Sequence, residues 1–71
     1  MDMKSAEKAY EYMERTGKTL PCVVSTSGVS GEGRIIDARY LDFPRHIGFE
    51  IKMRETGEIV RVPMCGVFRH R

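Results

Sequence analysis

From Ile47 to Met64 the chain alternates. Ile47, Phe49, Ile51 and Met53 are apolar, with Gly48, Glu50, Lys52 and Arg54 between and after them. Beyond Glu55-Thr56-Gly57 the pattern resumes, with Val60, Val62 and Met64 alternating with Ile59, Arg61 and Pro63. Successive side chains of a strand point to opposite faces, so this period of two marks strands with one dry and one wet face. The Glu-Thr-Gly segment, with a glycine able to take positive φ, closes the two strands into an antiparallel hairpin. Cys65-Gly66 then breaks the run, and Val67-Phe68 offers a last short strand.

The other end of the chain has a different period. Met3, Ala6, Ala9 or Tyr10, and Met13 recur at helical spacing and predict a helix over 2–16. Asp2 is placed to cap its start and Gly17 to end it in the left-handed conformation. The apolar stripe is narrow and built of small or flexible residues, so the helix should lie on one side of something larger. After Lys18 the pattern turns to strands. Leu20 to Ser25 is a short apolar run with Pro21 near its start, which suits an edge or a first strand position. Arg34 to Leu41 reads as another strand, with Ile36, Ala38 and Tyr40 on one face and Ile35, Asp37, Arg39 and Leu41 on the other. Asp42 to His46 reads as a turn. One helix followed by four or five short antiparallel strands is an α+β layout. By order of elements, the expected architecture is an N-terminal helix on a small SH3-like barrel, with an open curled sheet as the alternative. The 71 residues form a single domain, the β-rich part covering about 20–69.

Between the first two strands lies a glycine-rich stretch, Thr26 to Gly33, containing Gly28, Gly31 and Gly33. Phosphate-cradling loops end in a helix whose N-terminus faces the anion. Here the glycines lead into Arg34-Ile35-Ile36, a strand, and no Gly-Lys-Ser/Thr follows. The stretch from Ser25 to Gly33 therefore reads as a hairpin connection in which glycine supplies positive φ. A further reading has its exposed backbone N–H groups facing an anion, with Arg34 at the base.

Composition narrows the function classes. The longest apolar run is only a few residues, so no membrane span is expected. The N-terminal segment is polar and lacks the apolar core of a secretory signal, so a cytoplasmic location is expected. In that reducing compartment Cys22 and Cys65 are expected to be free and mostly buried. Cys22, His46, Cys65 and His70 lack the paired spacing of a structural zinc site. Neither thiol is marked as an activated nucleophile, and no serine lies in a nucleophile elbow. No cofactor, metal or catalytic activity is expected.

The charge distribution says more. Residues 1–33 hold four Lys/Arg against five Asp/Glu, and residues 34–71 hold eight against five. Seven of those eight are arginine. Guanidinium groups bind phosphate in a bidentate fashion and stack on bases. Arg34, Arg39, Arg45, Arg61, Arg69 and Arg71, with Tyr40 or Phe43 as a stacking platform, are the candidate nucleic-acid-binding residues. Arginines on exposed strands also guard sheet edges and form ion pairs, and five acidic residues share the region. The first expectation is therefore a protein-interaction or regulatory module without catalytic activity, with an unidentified protein partner. The alternative is a small β-barrel binding RNA or DNA through an arginine-rich face. Self-association through an edge strand is a further expectation.

Overall fold

The computed structural model describes residues 1–26, 28–41 and 46–69, apart from the side chains of 40, 41 and 46. Helix α1 spans Met3–Thr16, followed by strands β1 (Leu20–Thr26), β2 (Val29–Leu41), β3 (His46–Met53), β4 (Ile59–Pro63) and β5 (Val67–Arg69). A single 3-10 turn, Met64–Gly66, links β4 to β5. Asp2 caps α1 by accepting the Ser5 N–H at 2.8 Å, and that hydrogen bond holds its carboxyl below the usual range. Gly17, at φ 69, ends the helix and donates its N–H to the Met13 carbonyl. Ala6 and Ala9 are buried, and Met3, Tyr10 and Met13 pack partly buried against the core. The small alanines let α1 approach β2 and β3 closely.

The strands form one antiparallel sheet in the order β4-β3-β2-β1-β5. The glycine stretch is not the long connection expected. Thr26 pairs with Val29, so the turn is two residues, with Gly28 at φ 87. Gly31 and Gly33 already lie within β2, their backbone in register with β1. That removes the exposed anion-facing loop, because this segment is committed to the ladder. Gly33 is a close-approach position. It pairs with Cys22 on one side and Met53 on the other, where β2 passes from one neighbour to the next. A Cβ there would come within 2.7 Å of Ile51 Cγ2 and 2.8 Å of the Lys52 carbonyl oxygen.

The expected faces of β2 are also corrected. Strict alternation sets Ile35 and Ala38 on opposite faces, yet both are buried. The register shifts between Ile35 and Asp37, leaving Ile36 as the extra residue of a β-bulge. The bulge resets the phase, so Ile35 and Ala38 both face the core while Ile36 is partly exposed. β3 and β4 keep the expected alternation, with Ile47, Phe49, Ile51, Met53 and Val62 buried. Val60 is half-buried, because β4 is an edge strand. Of the turn expected over Asp42 to His46, residues 42–45 lie outside the described residues, and His46 begins β3.

The sheet is not closed into a barrel; β4 and β5 are its two edges. It is nonetheless strongly curled. The chain leaves β4 at one edge and enters β5 at the other through three residues, Met64–Gly66. Strands sit ~4.8 Å apart, so a flat sheet would separate these edges by ~19 Å. Four Cα–Cα steps reach at most ~15 Å, and ~8 Å when wound as a 3-10 turn. Only a curled sheet brings the edges within that reach. Gly66 is buried at the meeting point, where an added Cβ would clash with Thr26 of β1 and touch Val62 of β4. The amino group of Met1 donates to the carbonyls of Met64 and Val67, at 3.0 and 2.6 Å, tying the start of α1 to the same crossing.

The concave side holds an apolar core, with Phe49, Ile35, Ile47, Ile51, Val24, Val67 and Cys22 its largest fully buried side chains. Phe49→Ala should lower stability by about 3–5 kcal/mol, most of what a domain of this size has. Gly33→Ala should also destabilise, because the Lys52 backbone cannot give way as a flexible side chain can. Urea unfolding of both variants checks this; unchanged midpoints would show that neither position is packed as described.

Candidate functional site

The convex face of the sheet gathers most of the charged side chains that the strands carry, in rows set by strand register. Arg39, Gly48 and Pro63 form one row across β2, β3 and β4. Asp37, Glu50 and Arg61 form the next. Beyond the bulge, Pro21, Arg34, Lys52 and Ile59 span β1 to β4. Last come Phe68, Val23 and Glu32, with Arg54 donating its backbone N–H to the Glu32 carbonyl. The rows face solvent because Cys22, Ile35, Ile51 and Val62, alternating with them, face the core.

Three ion pairs cross this face: Arg39 Nε to Asp37 Oδ2 at 3.4 Å, Arg61 Nε to Glu50 Oε2 at 3.2 Å, and Arg54 Nη1 to Glu32 Oε2 at 2.8 Å. The arginine side chains are 71–82% exposed, so each pair contributes at most about 1 kcal/mol. The third row differs. Arg34 stands directly opposite Lys52, and among the described residues neither enters an ion pair. Arg34 Nε donates to Thr19 Oγ1 at 2.9 Å, which fixes the plane of its guanidinium.

Two depressions open on the face. One, of about 380 Å³, lies over Gly48, where the missing side chain leaves a gap between Arg39, Arg61 and Pro63. The other, of about 570 Å³, is bordered by Arg34, Lys52, Arg54 and the carboxylate-bearing Glu32, with Pro21, Ile36 and Met53 as apolar wall.

The candidate residues named from sequence thus separate. Arg34, Arg39 and Arg61 share the convex face. Arg69 pairs with Cys22 and lies on the helix side, beside Lys8 and Tyr12 around a recess of about 270 Å³. Tyr40 sits in β2 opposite Ile47, its side chain outside the description. Phe43, Arg45 and Arg71 lie outside the described residues. Lys52 was missed by sequence reasoning that followed arginines alone, and Arg54 was counted among the arginines but left out of the candidates. Their signal was the wet face of the Ile47–Arg54 alternation, which also carries Glu50.

Among the described residues, no group of three or more His, Cys, Asp or Glu side chains is placed to hold a metal ion. No described helix is long and apolar enough to cross a membrane. Both thiols are free, but they differ: Cys22 is buried, whereas Cys65 in the 3-10 turn is exposed, contrary to the expectation of two mostly buried thiols. Burial pushes the Cys22 thiol up from 9.0 to about 11, which keeps it protonated and unreactive. Compared with protein-family models, with curated proteins and with solved structures, the chain matches none of them.

The thiols give a direct test of this geometry. In the native protein a maleimide should label Cys65 and spare Cys22 until the chain is unfolded; equal labelling would show that the core is open at β1. The pH dependence follows from the raised thiol. The unfolded chain releases the Cys22 proton near pH 9 and the folded chain only near 11. Between these values the folded state holds the extra proton, so its stability falls as pH rises. Relative to Cys22→Ala, the parent should lose about 2 kcal/mol over that window. Parallel stability curves for the two proteins would contradict it.

Proposed function

We propose that this protein is a non-catalytic binding module that docks another protein on the convex face of its sheet. One observation carries the reading: the face presents both signs of charge in adjoining rows, with large apolar side chains exposed beside them. Asp37, Glu50 and Glu32 each stand beside an arginine. Ile36, Ile59 and Phe68 are 36%, 58% and 47% exposed on the same side. Apolar anchors among mixed, salt-exchangeable charges suit a protein surface. A phosphodiester chain crossing the face would lie against three carboxylates, and the repulsion would offset its contacts with arginine. The nucleic-acid alternative rests on the excess of cations, with Arg34, Arg39, Lys52, Arg54 and Arg61 against those three carboxylates.

Site-specific photocrosslinking in the native host separates the readings. With p-benzoylphenylalanine in place of Ile36 or Phe68, the module reading expects a discrete, protease-sensitive adduct that is absent when the crosslinker replaces Lys8 on the helix. Adducts sensitive only to nuclease, together with steeply salt-dependent binding of mixed RNA or DNA in vitro, would replace this reading with the nucleic-acid one. Equal adducts from all three positions would remove the convex face as the site.

A further inference from the structure

Resting on that reading, we infer that the row Pro21, Arg34, Lys52 and Ile59 recognises an extended partner segment bearing one acidic residue flanked, two positions away on each side, by apolar residues. The starting observation is the like-charge pair. Arg34 and Lys52 are direct cross-strand neighbours. Like charges so placed repel, and the other cationic side chains of β2, β3 and β4 on this face are each joined to a carboxylate. Arg34 is held ready: Nε is engaged by Thr19, and the terminal amino groups remain available for a bidentate contact with a carboxylate. The adjoining depression of about 570 Å³, which Glu32 lines together with Arg34, Lys52 and Arg54, leaves space beside the pair.

The flanking residues set the spacing. Pro21 is the exposed neighbour of Arg34 on β1, and Ile59 that of Lys52 on β4. The row therefore reads apolar, cationic, cationic, apolar over three strand spacings, ~14 Å from end to end. The midpoint between the two cations lies ~7 Å from either end. An extended peptide places same-side residues ~6.8 Å apart, so positions i, i+2 and i+4 span ~14 Å. A peptide lying across the strands thus brings an apolar side chain to Pro21, an acidic one between Arg34 and Lys52, and a second apolar one to Ile59. Charge selects a carboxylate over a basic or neutral residue at the centre. The carboxylates of the neighbouring rows, Glu32 on one side and Asp37 and Glu50 on the other, confine the acidic contact to this row.

The test is selection of a displayed library of random ten-residue peptides on the full chain. The expected result is enrichment of Asp or Glu flanked at −2 and +2 by Leu, Ile, Val or Phe. A synthetic peptide carrying the selected motif should lose about tenfold or more in affinity when its acidic residue becomes the amide. A similar loss is expected for the Arg34→Gln, Lys52→Gln double variant, whose melting temperature should not fall because the repulsion is gone. Lys8→Gln should bind as the parent does. Selected peptides that are basic, that lack a preferred charge, or that bind the double variant equally would overturn the inference. So would selection of no peptide alongside single-stranded RNA binding that the double variant loses. If crosslinking from Ile36 or Phe68 still captures a protein while the peptides show no acidic centre, this inference falls and the docking module stands. If crosslinking also fails there, both fall.

Discussion

The three-residue crossing from β4 to β5 is the constraint on which the rest of the structure depends. A flat sheet cannot be spanned by Met64–Gly66, so the two edges must curl toward each other. Curling defines a concave side that is filled by Phe49, Ile47, Ile51, Ile35 and Val24, and a convex side that the described residues leave exposed. The fit is tight at one point. Gly66 sits between Thr26 and Val62, side chains from the two halves of the sheet, and has no room for a Cβ. The Met1 amino group binds the carbonyls of Met64 and Val67 there, so the one helix is anchored at the crossing too.

The curl is distributed along β2, the only strand that pairs with both β1 and β3 over a long run. Its 13 residues serve one partner in the first half and the other in the second. Gly33 lies where the two ladders overlap, and the bulge at Ile36 follows three residues later. Both devices bend a strand without ending it. The bulge also determines what the convex face displays. It rotates Ile35 and Ala38 into the core and leaves Ile36 and Asp37 outside, beside Arg34 and Arg39.

The division of this fold between what periodicity reveals and what it hides follows from the range of each interaction. The helix, its Asp2 cap, its Gly17 end and the hairpin at Glu55-Thr56-Gly57 are local, and each was legible because a few neighbouring residues decide it. The bulge was not legible, since an extra residue in β2 is defined only by what β3 places opposite it. Gly33 looked like a loop residue for the same reason: its smallness answers a demand from Ile51 and Lys52, about 20 positions away, whereas Gly31 is favoured by its own positive φ of 130. The two architectures expected from element order, an SH3-like barrel and an open curled sheet, differ in whether the edges pair, which depends on the final curl and not on any segment's pattern; the edges β4 and β5 do not pair. For the candidate site, counting arginines found three members of the convex face, Arg34, Arg39 and Arg61. It also drew in Arg69, which register sends to the helix side, passed over Lys52 and the carboxylates that pair with Arg39, Arg54 and Arg61, and left Arg54 out of the candidates.

That the proposed recognition falls on a face, and not in a cleft, agrees with the composition of the described core. The described core contains no buried polar or charged side chain, and its apolar residues are consumed in holding 71 residues together. Polar chemistry is therefore displayed on the surface. There the exposed ion pairs are weak and screened by salt, so exchanging Asp37, Glu50 or Glu32 for a partner's carboxylate changes the energy little. Those rows can adjust to a partner without strongly selecting its charge. The Arg34–Lys52 row has no such internal exchange, because no carboxylate is given up when one arrives. An incoming anion there relieves an existing repulsion as well as gaining two contacts, while an incoming cation deepens the repulsion. On the proposed reading, selection by sign would thus be concentrated in one cross-strand pair, with the apolar residues at either end of that row setting where along the sheet it is applied.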